Sequence, residues 1–201
     1  IDKPAGLTSF QTAYEVKNIL GLKRSGHFGT LDSNVTGVLP VALNKACKLS
    51  NYFMKKDKVY VGEMHIHSDI PLNEIEAEVK NFIGKIMQLP PIRSNVKRRV
   101  REREIKKFEI IEKNGKNVRF IAEVEAGTYI RKLIHDLGAK IGGAHMMGLR
   151  RIRAGIFEEK NCVGLETLKK AFEEYKNGNE NLLRKILISG EIVTEIMPRV
   201  K

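Results

Sequence analysis

IKKFEIIEKNGKNVRFIAEV, residues 105–124, decides the fold class. Ile105–Ile111 and Val118–Val124 each alternate apolar with polar side chains, the two-residue period of a strand with one face buried. Asn114-Gly115 between them accepts the left-handed backbone of a tight turn, so the two runs predict an antiparallel hairpin. Downstream, Glu125-Ala126-Gly127-Thr128 ends the second run. Ile130, Leu133, Ile134, Leu137 and Ile141 then predict a helix that carries Tyr129 and Arg131 at its start and stops at Gly142-Gly143. Residues 144–157 read as a strand after a loop.

Upstream, Leu89-Pro90-Pro91 is a rigid stop, and Ile75, Val79, Phe82, Ile83 and Ile86 predict an amphipathic helix before it. Val59–His67 predicts a strand with Val61, Glu63, His65 and His67 on one face and Tyr60, Gly62, Met64 and Ile66 on the other. Thr8 and Gln11 form a capping-box pattern ahead of a helix over 9–20. Leu165, Leu168, Phe172 and Tyr175, then Leu182, Leu183, Ile186 and Leu187, predict two helices about Gly178; Ser189–Lys201 shows no such pattern. The expected class is mixed α/β (α+β), a largely antiparallel sheet with flanking helices.

The 201 residues, 42% hydrophobic, can fill a real core. Lys+Arg 36 against Asp+Glu 24 leaves +12, a surplus that favours a polyanionic partner, nucleic acid before membrane. Eight Lys/Arg (93, 97, 98, 99, 101, 103, 106 and 107) and two Glu lie within residues 93–107, half of that surplus, and predict a phosphate-binding arm. No apolar run approaches the ~20 residues of a spanning helix and no signal peptide opens the chain, so a cytoplasmic protein is expected. The chain opens on IDKPAG without an initiator methionine and reads as cut from a longer protein. Cys47 and Cys162 lack CxxC partners, which argues against zinc. His65 and His67 share a strand face without a third ligand in the nearby sequence, and no metal is expected.

GHFGTLDSNVTGVLPVALNKA, residues 26–46, sets Asp32 in a loop between Gly26 and Gly29 on one side and the apolar run Val38, Leu39, Val41, Ala42 and Leu43 on the other. Small neighbours allow close approach of backbone or a flat ligand. The same Asp also suits an ordinary turn. GxSxG, GKS/GKT and GxGxxG are absent and the histidines lack HxxxH spacing, so neither a triad nor a phosphate loop is on offer. What remains is a basic, nucleic-acid-facing domain with one carboxylate able to act as a covalent catalyst; with a reference pKa of about 3.9 it needs no activating base.

RSGHFGTLDSNVTGVLPVALNKACKL closely resembles the catalytic-aspartate motif of the TruB/dyskerin pseudouridine synthases. DKPAGLTS, DKVYVGEMHIH, PPIRSNVKRRVREREI, EAGTYIRKLIHDLG and GGAHMMGLRRIRAGIF resemble further blocks of that family in the same order, over about residues 1–157. TGVLPVAL, VKRRVR and EAGTYIR look more like the archaeal and eukaryotic guide-RNA-dependent branch than the bacterial tRNA branch.

The resemblance implies that Asp32 is the nucleophile, that Tyr60 stacks on a flipped uracil, and that Arg131 pairs with Asp32. It further implies that Lys3, His27, Gly29, Tyr129 and Leu149 shape the pocket, and that Arg93, Lys97, Arg98, Arg99, Arg101, Arg103, Arg150 and Arg151 bind RNA. It implies no cofactor and no metal, and as partners either a box H/ACA guide RNA with an rRNA target and small accessory proteins, or tRNA. A eukaryotic protein of this kind would be nucleolar. Residues 1–188 would be the catalytic domain, with 189–201 leading toward an absent C-terminal PUA RNA-binding domain. Ser33 stands where the family usually has proline, which implies a looser loop, and Phe28 is bulky at a position often small. A non-catalytic RNA-binding or ribosome-assembly module is the reading of another class.

Overall fold

The computed structural model describes residues 1–91 and 97–197. They fall into two units, Ile1–Lys56 with Arg153–Lys201, and Asp57–Ile152.

The first unit opens with strand β1 (Asp2–Lys3), helix α1 (Ser9–Ile19), and strands β2 (Ser25–His27), β3 (Thr36–Val38) and β4 (Val41–Leu43). A 3-10 turn over Asn44–Leu49 and the one-turn helix α2 (Ser50–Phe53) follow. β1 pairs antiparallel with β3, and β2 with β4. Helix α1 starts where the capping box predicts: the Gln11 N–H donates to Thr8 Oγ1 and the Thr8 N–H to Gln11 Oε1, which satisfies two otherwise orphaned donors.

The second unit contains β5 (Lys58–Ile66), α3 (Leu72–Lys80), β6 (Gly84–Gln88), β7 (Arg101–Asn114), β8 (Asn117–Val124), α4 (Ile130–Lys140) and β9 (Ala144–Ala154), which runs two residues past the boundary. Its strands lie in the order β9-β5-β8-β7-β6. β7 and β8 form the hairpin read from residues 105–124, with Asn114 opposite Asn117 and Gly115 at φ +55°. β5 with β8 and β6 with β7 are antiparallel too. The faces of β5 sort as the alternation predicts: Tyr60, Met64 and Ile66 are buried while Val61, Glu63 and His65 are half-exposed. Phe108 and Phe120 meet edge-on with centroids 5.6 Å apart, and Ile75 and Val79 of α3 and Ile130, Leu133, Ile134 and Leu137 of α4 are buried as well.

Back in the first unit, β10 (Phe157–Glu158) pairs with the end of β9, and α5 (Leu165–Lys176), α6 (Asn181–Ile186) and a 3-10 turn over Gly190–Glu195 complete the chain. Val16 and Leu20 pack with Leu168, Ala171 and Leu183 in one apolar cluster. Phe28, Ala42 and Phe53 form another, the two rings stacked at 5.0 Å. Phe28, bulky for its position in the motif, is thus a core side chain.

Two expectations change. Helix α3 stops at Lys80, and Ile86 lies on strand β6 opposite Arg103. Gly84 at φ +99° takes a left-handed backbone that a helix cannot continue through, so the helical spacing of Ile83 and Ile86 is incidental. The final segment is not patternless: Ile192, Val193 and Ile196 pack onto the Phe28 cluster. Spacings of one and three suit the tighter 3-10 turn, which a search for α-helical periodicity misses.

Candidate active site

Asp32 is exposed, on a loop whose backbone is fixed on both sides. Before it, buried Ser9 holds Leu31 twice: Ser9 Oγ donates to the Leu31 carbonyl at 2.9 Å and accepts from its N–H at 2.7 Å. After it, the Ser33 carbonyl accepts from Lys3 Nζ at 2.9 Å and from the Gly6 N–H at 2.9 Å. The Asp32 carbonyl closes a turn by accepting from the Val35 N–H at 3.1 Å. Gly29 at φ +99° and Gly37 at φ +101° bend the chain into and out of the loop through a backbone region closed to most side chains.

Lys3 is fully buried, and its ammonium also donates to the carbonyls of Pro4 at 2.7 Å and Leu7 at 2.5 Å, using all three N–H bonds. Burial pulls its pKa below the ordinary lysine value, and the Asp32 carboxylate opposes that fall. The grip on the Ser33 carbonyl supplies by hydrogen bonding the restraint that proline would supply covalently. His27 lies on β2 opposite Val41, half-exposed, in this same unit.

In the second unit Tyr60 is buried on β5 opposite Ala122. Its face is shared by Gly62, where an added Cβ would sit 2.4 Å from Phe120 Cζ and 3.0 Å from Leu149 Cδ1; only glycine admits both side chains beside Tyr60. Tyr129 is the N-cap residue of α4 but provides no side-chain cap. Its backbone is held instead by Gln88, 1% exposed: the Tyr129 N–H donates to Gln88 Oε1 at 3.0 Å, and Gln88 Nε2 donates to the Tyr129 carbonyl at 3.3 Å. That amide fixes the turn from which Arg131 projects, exposed, at the second position of the helix. The sequence reading passed over Gln88, whose only signal was its place just before the Leu-Pro-Pro stop.

The basic residues separate. Lys97, Arg98 and Arg99 are exposed, and Arg93 falls within 92–96, outside the described residues. Arg101 Nη2 donates to the Lys97 carbonyl, and Arg103 stands 3.8 Å from Glu125. Lys106 pairs with Asp57 at 2.5 Å and Lys107 with Glu109 at 2.8 Å, so part of the charge counted along this segment is neutralised locally. Arg150 is half-exposed. Arg151 is 1% exposed, so its guanidinium is inside the protein and not on an outer face where a phosphate would meet it. It neighbours Lys58, whose pKa is lowered to about 8 by burial first and by Arg151 second, against the pull of Asp57. His145 joins His65 and His67: His67 Nε2 lies 2.9 Å from His145 Nδ1, a third imidazole that β9 contributes and local spacing could not reveal. Among the described residues no cluster of three His, Cys, Asp or Glu is placed to hold a metal ion. No helix there is long and apolar enough to cross a membrane.

Residues 17–79, which contain Asp32 and Tyr60, match the model of the TruB family pseudouridylate synthase N-terminal domain, and residues 131–194 match that of the tRNA pseudouridylate synthase B C-terminal domain. The chain belongs to the TruB family. A probable tRNA pseudouridine synthase B of Methanopyrus kandleri is 48% identical over all of this chain and 60% of its own length. One of Pyrococcus furiosus is 44% identical over all of this chain and 60% of its own. This TruB-family chain therefore spans about 60% of the curated relatives it matches. Among solved structures, a chain from a Cbf5–Nop10–Gar1 complex superposes with a TM-score of 0.94 at 44% identity, over 98% of this chain and 61% of that one. A chain from an H/ACA RNP bound to a substrate RNA containing 2′-deoxyuridine gives 0.90 at 41%, over 98% and 60%.

Proposed function

We propose that this chain carries the catalytic part of an RNA pseudouridine synthase in which Asp32 is the nucleophile. The observation that supports this most is the Asp32 loop: an exposed carboxylate between two residues whose backbones are held by buried Ser9 and Lys3, inside the segment that matches the family. Such a mount keeps the carboxylate in place without burying it, as a group that must meet an incoming nucleoside requires.

The reaction is an isomerisation. The bond from C1′ to N1 of uracil breaks, the base turns, a bond from C1′ to C5 forms, and the proton lost from C5 is balanced by one gained at N1. Asp32 adds to C6 or to C1′; both leave the carboxylate free at the end. A base inside a helix must first be flipped out at a cost of a few kcal/mol, recovered in stacking and pocket contacts. The family resemblance assigns Tyr60 the stacking ring, Leu149, Tyr129, Gly29 and His27 contacts to the flipped nucleotide, and Arg131 the role of a catalytic cation. The exposed cations Lys97, Arg98 and Arg99 draw in the phosphate backbone.

The partners follow the 41–44% identical structures named above: we assign the chain to a box H/ACA ribonucleoprotein with Nop10- and Gar1-like proteins, a guide RNA and its target. A stand-alone tRNA synthase is the second reading, favoured by the names of the archaeal relatives. Mass spectrometry of digested RNA, after incubation with unmodified tRNA alone or with guide and matched target plus accessory proteins, separates them. Product on the guided target alone supports the first, product on bare tRNA the second, and no product from folded, RNA-binding protein leaves a non-catalytic RNA-binding module.

A further inference from the structure

Some surface cations of this chain are matched to carboxylates: Lys85 with Glu102, Lys113 with Asp69, Arg119 with Glu112, Lys160 with Glu158 and Arg184 with Glu180 all lie within 3.3 Å. Others, Lys97, Arg98 and Arg99 among them, have no such match among the described residues, and four unmatched cations gather at one place in the first unit. Lys23, Arg24, Lys45 and Lys48, with Asn44 and Cys47, line an open groove of about 540 Å³ in the first unit. All four cations are exposed, and none is matched to a carboxylate among the described residues.

The backbone holds them together. The register Ser25↔Leu43 at the end of the β2–β4 pair brings Arg24 opposite Asn44. The Asn44 N–H donates to the Arg24 carbonyl at 3.0 Å, and the Arg24 N–H donates to Asn44 Oδ1 at 3.3 Å. Asn44 sits at φ +48°, the only described non-glycine residue with positive φ, and turns the strand directly into the 3-10 segment. In a 3-10 helix side chains three apart eclipse, so Lys45 and Lys48 stand on one side. Like charges so placed repel each other, and a solvated surface gains nothing from the arrangement. A polyanion gains several contacts at once.

We propose that this groove is a phosphate-backbone site for RNA, built from none of residues 97–107 and from none of the residues given pocket roles above. The proposal rests on the synthase reading for its choice of nucleic acid, but its test reads binding, so an inactive enzyme leaves the test intact. A labelled RNA stem-loop is titrated against the wild-type chain and the variant Lys23→Gln/Arg24→Gln/Lys45→Gln/Lys48→Gln at several salt concentrations. Each lost phosphate contact removes about 0.7–0.9 from the slope of log K against log salt, so a drop of roughly 2–3 and a loss of affinity of about 10²-fold are expected. Relief of repulsion leaves the thermal midpoint of the variant unchanged or raises it, which separates the effect from misfolding. In wild type, bound RNA should also slow acetylation of Lys45 and Lys48 several-fold, read by mass spectrometry of peptides. Unchanged affinity and slope in the variant would overturn the proposal. So would protection of these lysines by phosphatidylserine vesicles but not by RNA.

Discussion

The loop of Asp32 and the start of helix α4 solve the same problem with different chemistry. Each offers an exposed charged side chain, Asp32 or Arg131, and in each the neighbouring backbone is fixed by a buried polar side chain from elsewhere in its own unit. In the first unit the support is charged: Lys3 spends its whole ammonium on three carbonyls, with Ser9 beside it. In the second it is neutral: the amide of Gln88 pairs with the backbone of Tyr129 as a strand would. A charged support is stronger while intact and leaves more unsatisfied when removed. The two supports should therefore fail to different degrees.

The largest loss is expected from Lys3→Met. It takes this donor from the Pro4 and Leu7 carbonyls, leaves the Ser33 carbonyl only the Gly6 N–H and loosens the Ser33 side of the loop, at about 3–5 kcal/mol. For a chain of this size that is a fall of roughly 10 °C in thermal midpoint, checked by calorimetry, and turnover should fall by more than 10²-fold under conditions where the variant is folded. Gln88→Ala comes next, at about 1–3 kcal/mol, because two neutral bonds are lost: the half-buried Tyr129 N–H loses its acceptor and the Tyr129 carbonyl keeps the Leu133 N–H. Turnover should fall about tenfold while RNA affinity holds, and Gln88→Glu, which keeps the acceptor and loses the donor, should fall between wild type and Ala. If Gln88→Ala proves as damaging as Lys3→Met, the distinction between charged and neutral support is wrong.

Ser9→Ala should cost about 1–2 kcal/mol by denaturant titration, since one hydroxyl serves both groups of Leu31. The smallest effect separates Lys58 from Lys3. Folding lowers the Lys58 pKa from 10.5 to about 8, so between those values the unfolded chain holds a proton that the folded chain has released. Stability relative to Lys58→Met should accordingly be flat below pH 8 and rise above it, by about 1 kcal/mol at pH 9. A flat difference from pH 7 to 10 would show that Lys58 is not held in a cation-hostile site.

Much of this was legible in the sequence because it rests on short-range rules. The hairpin at Asn114-Gly115, the two faces of β5 and the Thr8–Gln11 capping box depend on neighbours within a few residues, and the six family-like blocks pointed to Asp32, Tyr60 and Arg131 by resemblance. The supports were less legible because they join distant segments: Ser9 to Leu31, Gln88 to Tyr129, and His145 to His67. Charge counting along the sequence misses pairing for the same reason. The cations at 106 and 107 looked one-sided along the sequence, yet Asp57 and Glu109 neutralise them, whereas four cations split between residues 23–24 and 45–48 gather at one groove without a carboxylate. Pairing, not density, decides where a surface is electropositive, and pairing is a tertiary property.

The proposed catalysis turns on Asp32, and its direct test is pseudouridine formation by wild type and Asp32→Asn, read by mass spectrometry of digested RNA with guide, matched target and accessory proteins present. Asparagine keeps the size of the side chain, and the loop is held through Leu31 and Ser33, so the variant should fold and bind RNA with wild-type affinity. With Asp32 as nucleophile, the variant forms no detectable pseudouridine while wild type converts the target uridine. Conversion by Asp32→Asn at a rate near that of wild type would contradict that role.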